Sequence, residues 1–516
     1  MRLDASPLHS VWSDDSVKVA VSFQDVLRRR LADSLSSYGK FQLESESGSV
    51  LHSSFNGVLG SSVDFELDPV AISDFLGHYA FFGSHTLLKQ VRRTDFHVAN
   101  ELGETSQLVR IPKHGQEPVP AHEVASRLLE LMLQETERRI HGCEHIGLLL
   151  SGGMDSRIVA AVLRHLQQRG NGFQVTCFTW GDPATRDPVY AQRIASRYGW
   201  CFEHFSIGPE LLWENVNTVA ANGCFHSALH LHAMVPVGAR AAELGVQLML
   251  AGSYGDSVGR AEYSRVHVSK LKPIERRIRN WYGLMEPSIY EECRPQTLLE
   301  IQRCRDLYGA SDGPLIRELD LQLHYMRNML GSAMSVIDAQ VPLAQAFTSR
   351  EVVEYMWGLA PECRTDEIYF QVLSELEPEL LEIPWARTGR PYLRPGEEPD
   401  SLVASFHDYP GWTRQLLGRI RKLIFSGSIE RTGVFDMGAV HELVKAFDRF
   451  AFIRAGRVLE LFVWLASLAI FLERLDLPPV NREKARNSLH VKGRLDLGLT
   501  IARQYQLFGG KSGRGP

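Results

Sequence analysis

The sequence predicts an α/β protein in three parts: an α+β region over 1–115, a parallel sheet wound by helices over 116–400, and a helical extension over 401–516. Three observations predict it. Between 121 and 250, helical and strand patterns alternate, as a wound parallel sheet requires. Ile146–Leu150 is a continuous apolar run, which marks a strand buried on both faces. Beyond about 320 the spacing is almost wholly helical, as in Glu351–Leu359, Tyr369–Leu376 and Val458–Leu475.

Taken in order, the first 110 residues mix short β-rich runs (Val17–Val21, Phe41–Leu43, Ser49–Phe55) with one strong helix signal, Asp68-Pro-Val-Ala-Ile-Ser-Asp-Phe-Leu. Asp68 offers a carboxylate to the first free N–H groups, and Pro69 sits where its missing N–H costs nothing. Pro112–Pro120, with Gly115 and Pro118 between, reads as a linker. Val124–Arg139 then carries apolar residues at helical spacing, followed by the strand Ile146–Leu150 and the helix Arg157–Gln168. The alternation continues through strand Val175–Thr179, helix Val189–Tyr198 ended by Gly199, strand Cys201–Ser206, helix Val235–Leu244 and strand Val246–Leu250. No internal repeat interrupts it, and the tail 509–516 has the composition of a flexible linker.

With 516 residues, 44% hydrophobic and 23% charged, the chain can bury more than one core, and disordered, collagen-like and coiled-coil classes are excluded. Lys and Arg number 56 against 61 Asp and Glu, a net charge of -5, so no overall basic balance points to nucleic acid or a membrane surface. Seven cysteines without a Cys-x-x-Cys pair suit a reducing compartment. The N-terminus lacks a secretory pattern, and the longest apolar run, Leu461–Leu472, is shorter than the roughly 20 residues that cross a bilayer. A cytoplasmic protein is expected.

The sharpest signal is Ile146-Gly-Leu-Leu-Leu-Ser-Gly-Gly-Met-Asp-Ser-Arg-Ile-Val. A buried strand ends at Leu150, Ser151-Gly152-Gly153 makes the turn, and a helix begins at about Asp155. Adjacent glycines let the backbone approach an anion, while the loop N–H groups and the helix dipole favour negative charge there. A diphosphate fits. Asp155 adds a hard oxygen ligand for Mg²⁺, which takes one or two carboxylates plus phosphate oxygens. This is not a Walker loop, because Gly-x-x-x-x-Gly-Lys-Ser/Thr occurs nowhere. A second glycine-rich loop, Ala251-Gly252-Ser253-Tyr254-Gly255-Asp256, follows the strand Val246–Leu250. Open α/β sheets bind ligands outside the carboxyl ends of their strands, so the two loops are expected to bring Asp155 and Asp256 to one metal ion. Cys224, His226, His230 and His232 cluster in a segment expected near the substrate pocket, with zinc as the lesser reading.

These motifs resemble those of the asparagine synthetase family, which includes β-lactam synthetases and the cyclases that close lasso peptides. The stretch from Asp68 to Arg93 is similar to the end of the family's N-terminal glutaminase domain, and Ser151-Gly-Gly-Met-Asp-Ser156 to its ATP-pyrophosphatase loop. Phe178-Thr-Trp180-Gly looks like the strand end beside the adenine, and Ala251–Asp256 like the second phosphate and magnesium loop. Ser335-Val-Ile-Asp338-Ala-Gln-Val-Pro342 resembles the family's Val-Glu-Ala-Arg-Val-Pro segment. The resemblance implies a degenerate glutaminase-like domain over 1–115 and an adenine nucleotide α-hydrolase-like ATP-pyrophosphatase domain over 116–400, with 401–516 extending it. It also implies adenylation: a carboxylate attacks the α-phosphate of ATP, and an amine then displaces AMP to give an amide. By position, the resemblance implies that Leu150, Trp180, Ala251 and Gly252 bind the nucleotide. It likewise implies that Ser151, Gly152, Gly153, Asp155 and Ser156 would hold the pyrophosphate and that Asp155 and Asp256 would bind Mg²⁺. Asp338 matches the acidic position that helps deprotonate or orient the amine, and Tyr254 could serve with it.

Three departures shape the expectation. Arg2 stands where glutamine-using members carry Cys, so ammonia or an amine is the expected nitrogen source. The second loop reads Ser253-Tyr254, with its tyrosine one position out of register. No Lys occurs between Pro342 and Arg421, which leaves Arg364, Arg387 and Arg390 as candidate cations for the phosphates. The expected partners are a small-molecule or peptide carboxylate and an ammonia or amine donor, with no nucleic acid and no membrane; a homodimer is compatible with the resemblance. Three functions stay open: an amide-forming ligase of the asparagine synthetase type, an intramolecular peptide or β-lactam-type cyclase, and a nucleotide-binding scaffold without turnover.

Overall fold

The computed structural model describes residues 41–45, 48–95, 113–170, 172–309, 313–392, 394, 396–449 and 456–480. The expected strand Val17–Val21 and the tail 509–516 lie outside them.

Five parallel strands form the central sheet, in the spatial order 343–345, 248–251, 145–149, 174–180, 201–205. Strand His145–Leu149 lies in the middle, with Ile146 opposite both Val175 and Leu248. Its unbroken apolar run follows from burial on both faces: Leu148 and Leu250 join one core, Leu149 and Met249 the other. Helices Met154–Gln168, Arg186–Tyr198 and Met234–Glu243 run between the strands. Because the strands are parallel, the loop after each one emerges on the same side of the sheet. Gly199 stops the helix Arg186–Tyr198 with φ 67, a left-handed turn that a Cβ would strain.

One strand escaped the sequence pattern. Leu343–Gln345 pairs parallel with Leu248–Ala251, which corrects the expectation of an almost wholly helical chain beyond 320. Three residues are too few to show a strand period, and the partner that makes them a strand lies far back in the chain.

In the N-terminal region, Phe41–Ser45 pairs antiparallel with Gly48–His52 and Val91–Arg93. Helix Pro69–His78 starts as the sequence implies, with the Asp68 carboxylate accepting from Val70 N–H at 2.9 Å. Phe75 stacks on Trp464 at 4.0 Å and 8°. Residues 41–91 thus share one apolar core with the helices Tyr409–Ile424 and Gly456–Leu475. A second core fills the opposite face of the sheet, under the helices Ala121–Ile140 and Asp366–Leu376. Leu461–Leu472 is buried in the first core, and among the described residues no helix is long and apolar enough to cross a membrane.

Candidate active site

The turn after strand His145–Leu149 opens on a cleft of about 410 Å³ at the carboxyl ends of the strands. Leu150, Ser151, Gly153, Asp155 and Ser156 line it from the first loop, Trp180 from the next strand, and Gly252 and Ser253 from the second loop. Both glycine-rich loops therefore meet one cavity.

The first loop is held by its own polar atoms. Ser151 Oγ accepts from Gly153 N–H at 3.1 Å, and Ser156 Oγ accepts from Ser151 N–H at 3.1 Å. Gly152 plays another part than the one expected, since it does not line the cleft. Its N–H donates to Asp187 Oδ1 at 3.0 Å, and a Cβ there would meet Tyr190 and Ala386 at 2.9 Å. Its lack of a side chain serves packing. Asp187 does line the cleft, and burial raises its carboxyl pKa against the lowering effect of the Gly152 bond.

The second loop interlocks with the first. A Cβ on Gly252 would stand 2.8 Å from the Asp155 carbonyl, and one on Gly255 2.7 Å from the Asp155 carboxyl group. Only glycine permits this approach. Ala251, the last strand residue, is fully buried and lies outside the cleft lining. Arg260 Nη2 donates to both Asp155 oxygens at 3.1 Å, and Arg260 Nη1 donates to Asp366 at 2.7 Å.

Burial raises the Asp155 pKa, opposed by Arg260. Asp256 is pushed up to about 7, first by burial and then by the negative charge of Asp155. Two hard-oxygen carboxylates close enough to repel suit a divalent cation that takes its other ligands from phosphate and water, as Mg²⁺ does. Among the described residues no three His, Cys, Asp or Glu converge on a metal position. The same finding removes zinc at Cys224, His226, His230 and His232: Cys224 and His226 are buried, and His226 Nδ1 lies 3.0 Å from Ser227 O.

Of the candidate cations, Arg364 is fully buried and bonds Glu318 at 2.9 and 2.6 Å, away from the cleft lining. Arg387 bonds Glu262 at 2.6 Å and is among the charges that lower the Asp155 pKa. Arg390 pairs its backbone with Trp385 and is absent from the cleft lining. The cation in direct contact with Asp155 is Arg260, four residues past Asp256, which the sequence reading did not single out.

The expected amine-activating pair is not at the cleft. Tyr254 is buried, its hydroxyl donating to Met326 O at 3.5 Å, and Asp338 Oδ1 accepts from Leu343 N–H at 2.9 Å. Neither lines the cavity, and each of these two bonds reaches backbone.

Histidines occupy the far wall instead. His232 has φ 46 and ψ -119, a strained conformation for a side-chain-bearing residue, and Asn215 holds its carbonyl at 2.8 Å. Its ring stacks on Trp180 at 5.7 Å and 19°. Tyr409 O–H donates to Leu229 O at 2.8 Å, so the 2.5 Å contact between Tyr409 Oη and His232 Nδ1 needs the proton on the histidine. Burial lowers the His232 pKa to about 3 and keeps the ring neutral. His230 also lines the cleft, with Nε2 3.5 Å from Glu460 Oε2.

A wound parallel sheet with two interlocked glycine-rich loops at one strand-end cleft defines a protein built to bind an anionic ligand at the carboxyl ends of its strands. Residues 127–369 match the family model described as asparagine synthase. Among solved structures 38 chains match. One is the U34-tRNA thiolase NcsA from Methanococcus maripaludis with its 4Fe-4S cluster, 11% identical over 42% of this chain and 89% of its own, with a TM-score of 0.21. No curated protein matches the chain.

Proposed function

We propose that the chain is an ATP-dependent amide-forming ligase that adenylates a substrate carboxylate, releases pyrophosphate, and passes the acyl group to ammonia or an amine. The observation that carries this reading is the interlock of Gly252 and Gly255 on Asp155, which joins two anion-suited loops at one cleft. Ser151 and Ser156 present hydroxyls there from a loop already fixed by internal hydrogen bonds, so little reorganisation accompanies phosphate binding. Phe178 and Trp180 give the same cleft an aromatic wall for the base. Asp155 and Asp256 would hold Mg²⁺, which when bound offsets charge on the departing pyrophosphate. Arg260 and Arg387 supply fixed positive charge beside Asp155, in a chain that has no Lys between Pro342 and Arg421.

A screen of amino-acid and peptide carboxylates for carboxylate-dependent ATP–pyrophosphate exchange tests this. Exchange with one class of carboxylate is expected, and AMP release without any added amine would identify an intramolecular cyclase. ATP binding without exchange for every carboxylate would sink the ligase and leave a nucleotide-binding scaffold. One observation favours that second reading: Arg260 already occupies both Asp155 oxygens that a metal would use.

A further inference from the structure

We infer that His230, backed by Glu460, is the proton acceptor for the amine in the transfer step. The inference rests on the adenylating reading above and adds a base to it. An amine that attacks an acyl-adenylate must lose a proton, and Tyr254 and Asp338 do not line the cleft. Among the acids that do, Asp155 is held by Arg260 and Asp187 accepts from Gly152 N–H. His232 holds its proton on Nδ1 toward Tyr409 with no carboxylate behind it, and its burial disfavours the cation a base must become.

His230 remains. It sits on the single turn Ala228–Leu231, which places it in the cleft wall. Its Nε2 is buried and faces Glu460 Oε2 at 3.5 Å, a reach for charge attraction that would tighten into a hydrogen bond once the ring is protonated. Nδ1 makes no hydrogen bond to the described residues. This is the arrangement in which a carboxylate orients an imidazole and stabilises its cation. Glu460 comes from the helix Gly456–Leu475, beyond the segment 127–369 that carries the family match, so a C-terminal helix supplies the partner of a cleft residue.

In the step proposed, the amine nitrogen bonds the acyl carbon, and the bond from that carbon to the AMP phosphate oxygen breaks. AMP leaves with the electron pair. The amine's proton moves to His230 Nδ1, while Nε2–H turns its charge to Glu460. Glu460 acts as a positioning residue.

Two assays on the full chain separate the half-reactions: carboxylate-dependent ATP–pyrophosphate exchange, and amide formation with ammonium chloride or methylamine. His230→Gln should lower the ratio of transfer to exchange roughly 10²–10⁴-fold, the usual weight of a general base. Glu460→Gln should lower kcat for transfer at saturating amine by about tenfold, at the low end for a group that orients a functional side chain, and leave KM for the carboxylate in place. An equal loss of both half-reactions in His230→Gln, or an undiminished ratio, overturns the role; equal loss would make His230 a wall residue only. A wild-type chain that adenylates but transfers to neither amine overturns it as well. Absence of exchange in the wild type with every carboxylate is a different failure, of the adenylating reading itself.

Discussion

The two ends of the cleft are built in opposite ways. At the phosphate end, Ser151, Gly153, Asp155 and Ser156 come from one short run, and Gly252 and Ser253 from the turn after a neighbouring strand. At the far end, His230 meets Glu460 from the last described helix, and His232 meets Tyr409 across 177 positions. An anion site made of consecutive loop donors needs consecutive residues, and parallel strands bring such loops together without further instruction. A pair of side chains needs no run at all. The phosphate end is therefore the part of the cleft that a motif can describe, and the acceptor end is the part that packing decides.

The largest effect expected of any single change tests the first half of that contrast. Asp155→Ala should lower Mg-ATP turnover by at least roughly 10²–10³-fold with the fold retained by circular dichroism, since a fixed charge at the reacting phosphates is lost. Turnover within a few fold of wild type would remove Asp155 from the site. Next comes Gly252→Ala. Its Cβ would meet Asp155 backbone, which cannot swing aside, so about 1–3 kcal/mol of stability should be lost in a denaturant titration and exchange should fall with it. An unchanged variant would mean that the loops are not interlocked.

How much could be read beforehand follows the same line. The strands of the sheet from 145 to 251, the Asp68 cap and the Ser151–Ser156 turn were legible because each is a local pattern: an apolar run, a capping residue before Pro69, adjacent glycines after a strand. The strand Leu343–Gln345 was not, because its pairing with Leu248–Ala251 is its only signature. Arg260 is identifiable only once Gly255 and Gly252 seat the second loop on Asp155. Gly152 also makes room for Tyr190 and Ala386, neighbours that only the folded chain brings beside it.

A smaller effect concerns charge at the phosphate end. The Asp256 carboxyl titrates at about 7 in the fold, against an ordinary value of 3.8. Between those values the folded chain keeps a proton that the unfolded chain has released, so metal-free stability should fall as pH rises through that window. Mg²⁺ set between Asp155 and Asp256 should relieve the repulsion. Thermal denaturation should then show a larger Mg²⁺-induced rise in Tm at about pH 8 than at about pH 5.5, where Asp256 holds its proton. Asp256→Asn should flatten that difference. Equal shifts at both pH values would separate Asp256 from the metal.

The smallest expected effects probe the acceptor end by what should not happen. Tyr254→Phe removes a hydroxyl that reaches a backbone carbonyl at 3.5 Å, and Asp338→Asn keeps an oxygen able to accept from Leu343 N–H. Neither touches the cleft lining, so amide formation should stay within about twofold of wild type, a change equal to about 0.5 kcal/mol. Asp338→Ala differs, because it leaves Leu343 N–H without its acceptor where the edge strand begins. About 1–3 kcal/mol of stability should go with that bond, while the ratio of transfer to exchange holds. If instead Asp338→Asn loses transfer and keeps exchange, the carboxylate itself reaches the amine in the working enzyme. The acceptor end would then include the turn before strand Leu343–Gln345, and its chemistry would have been legible in the sequence after all.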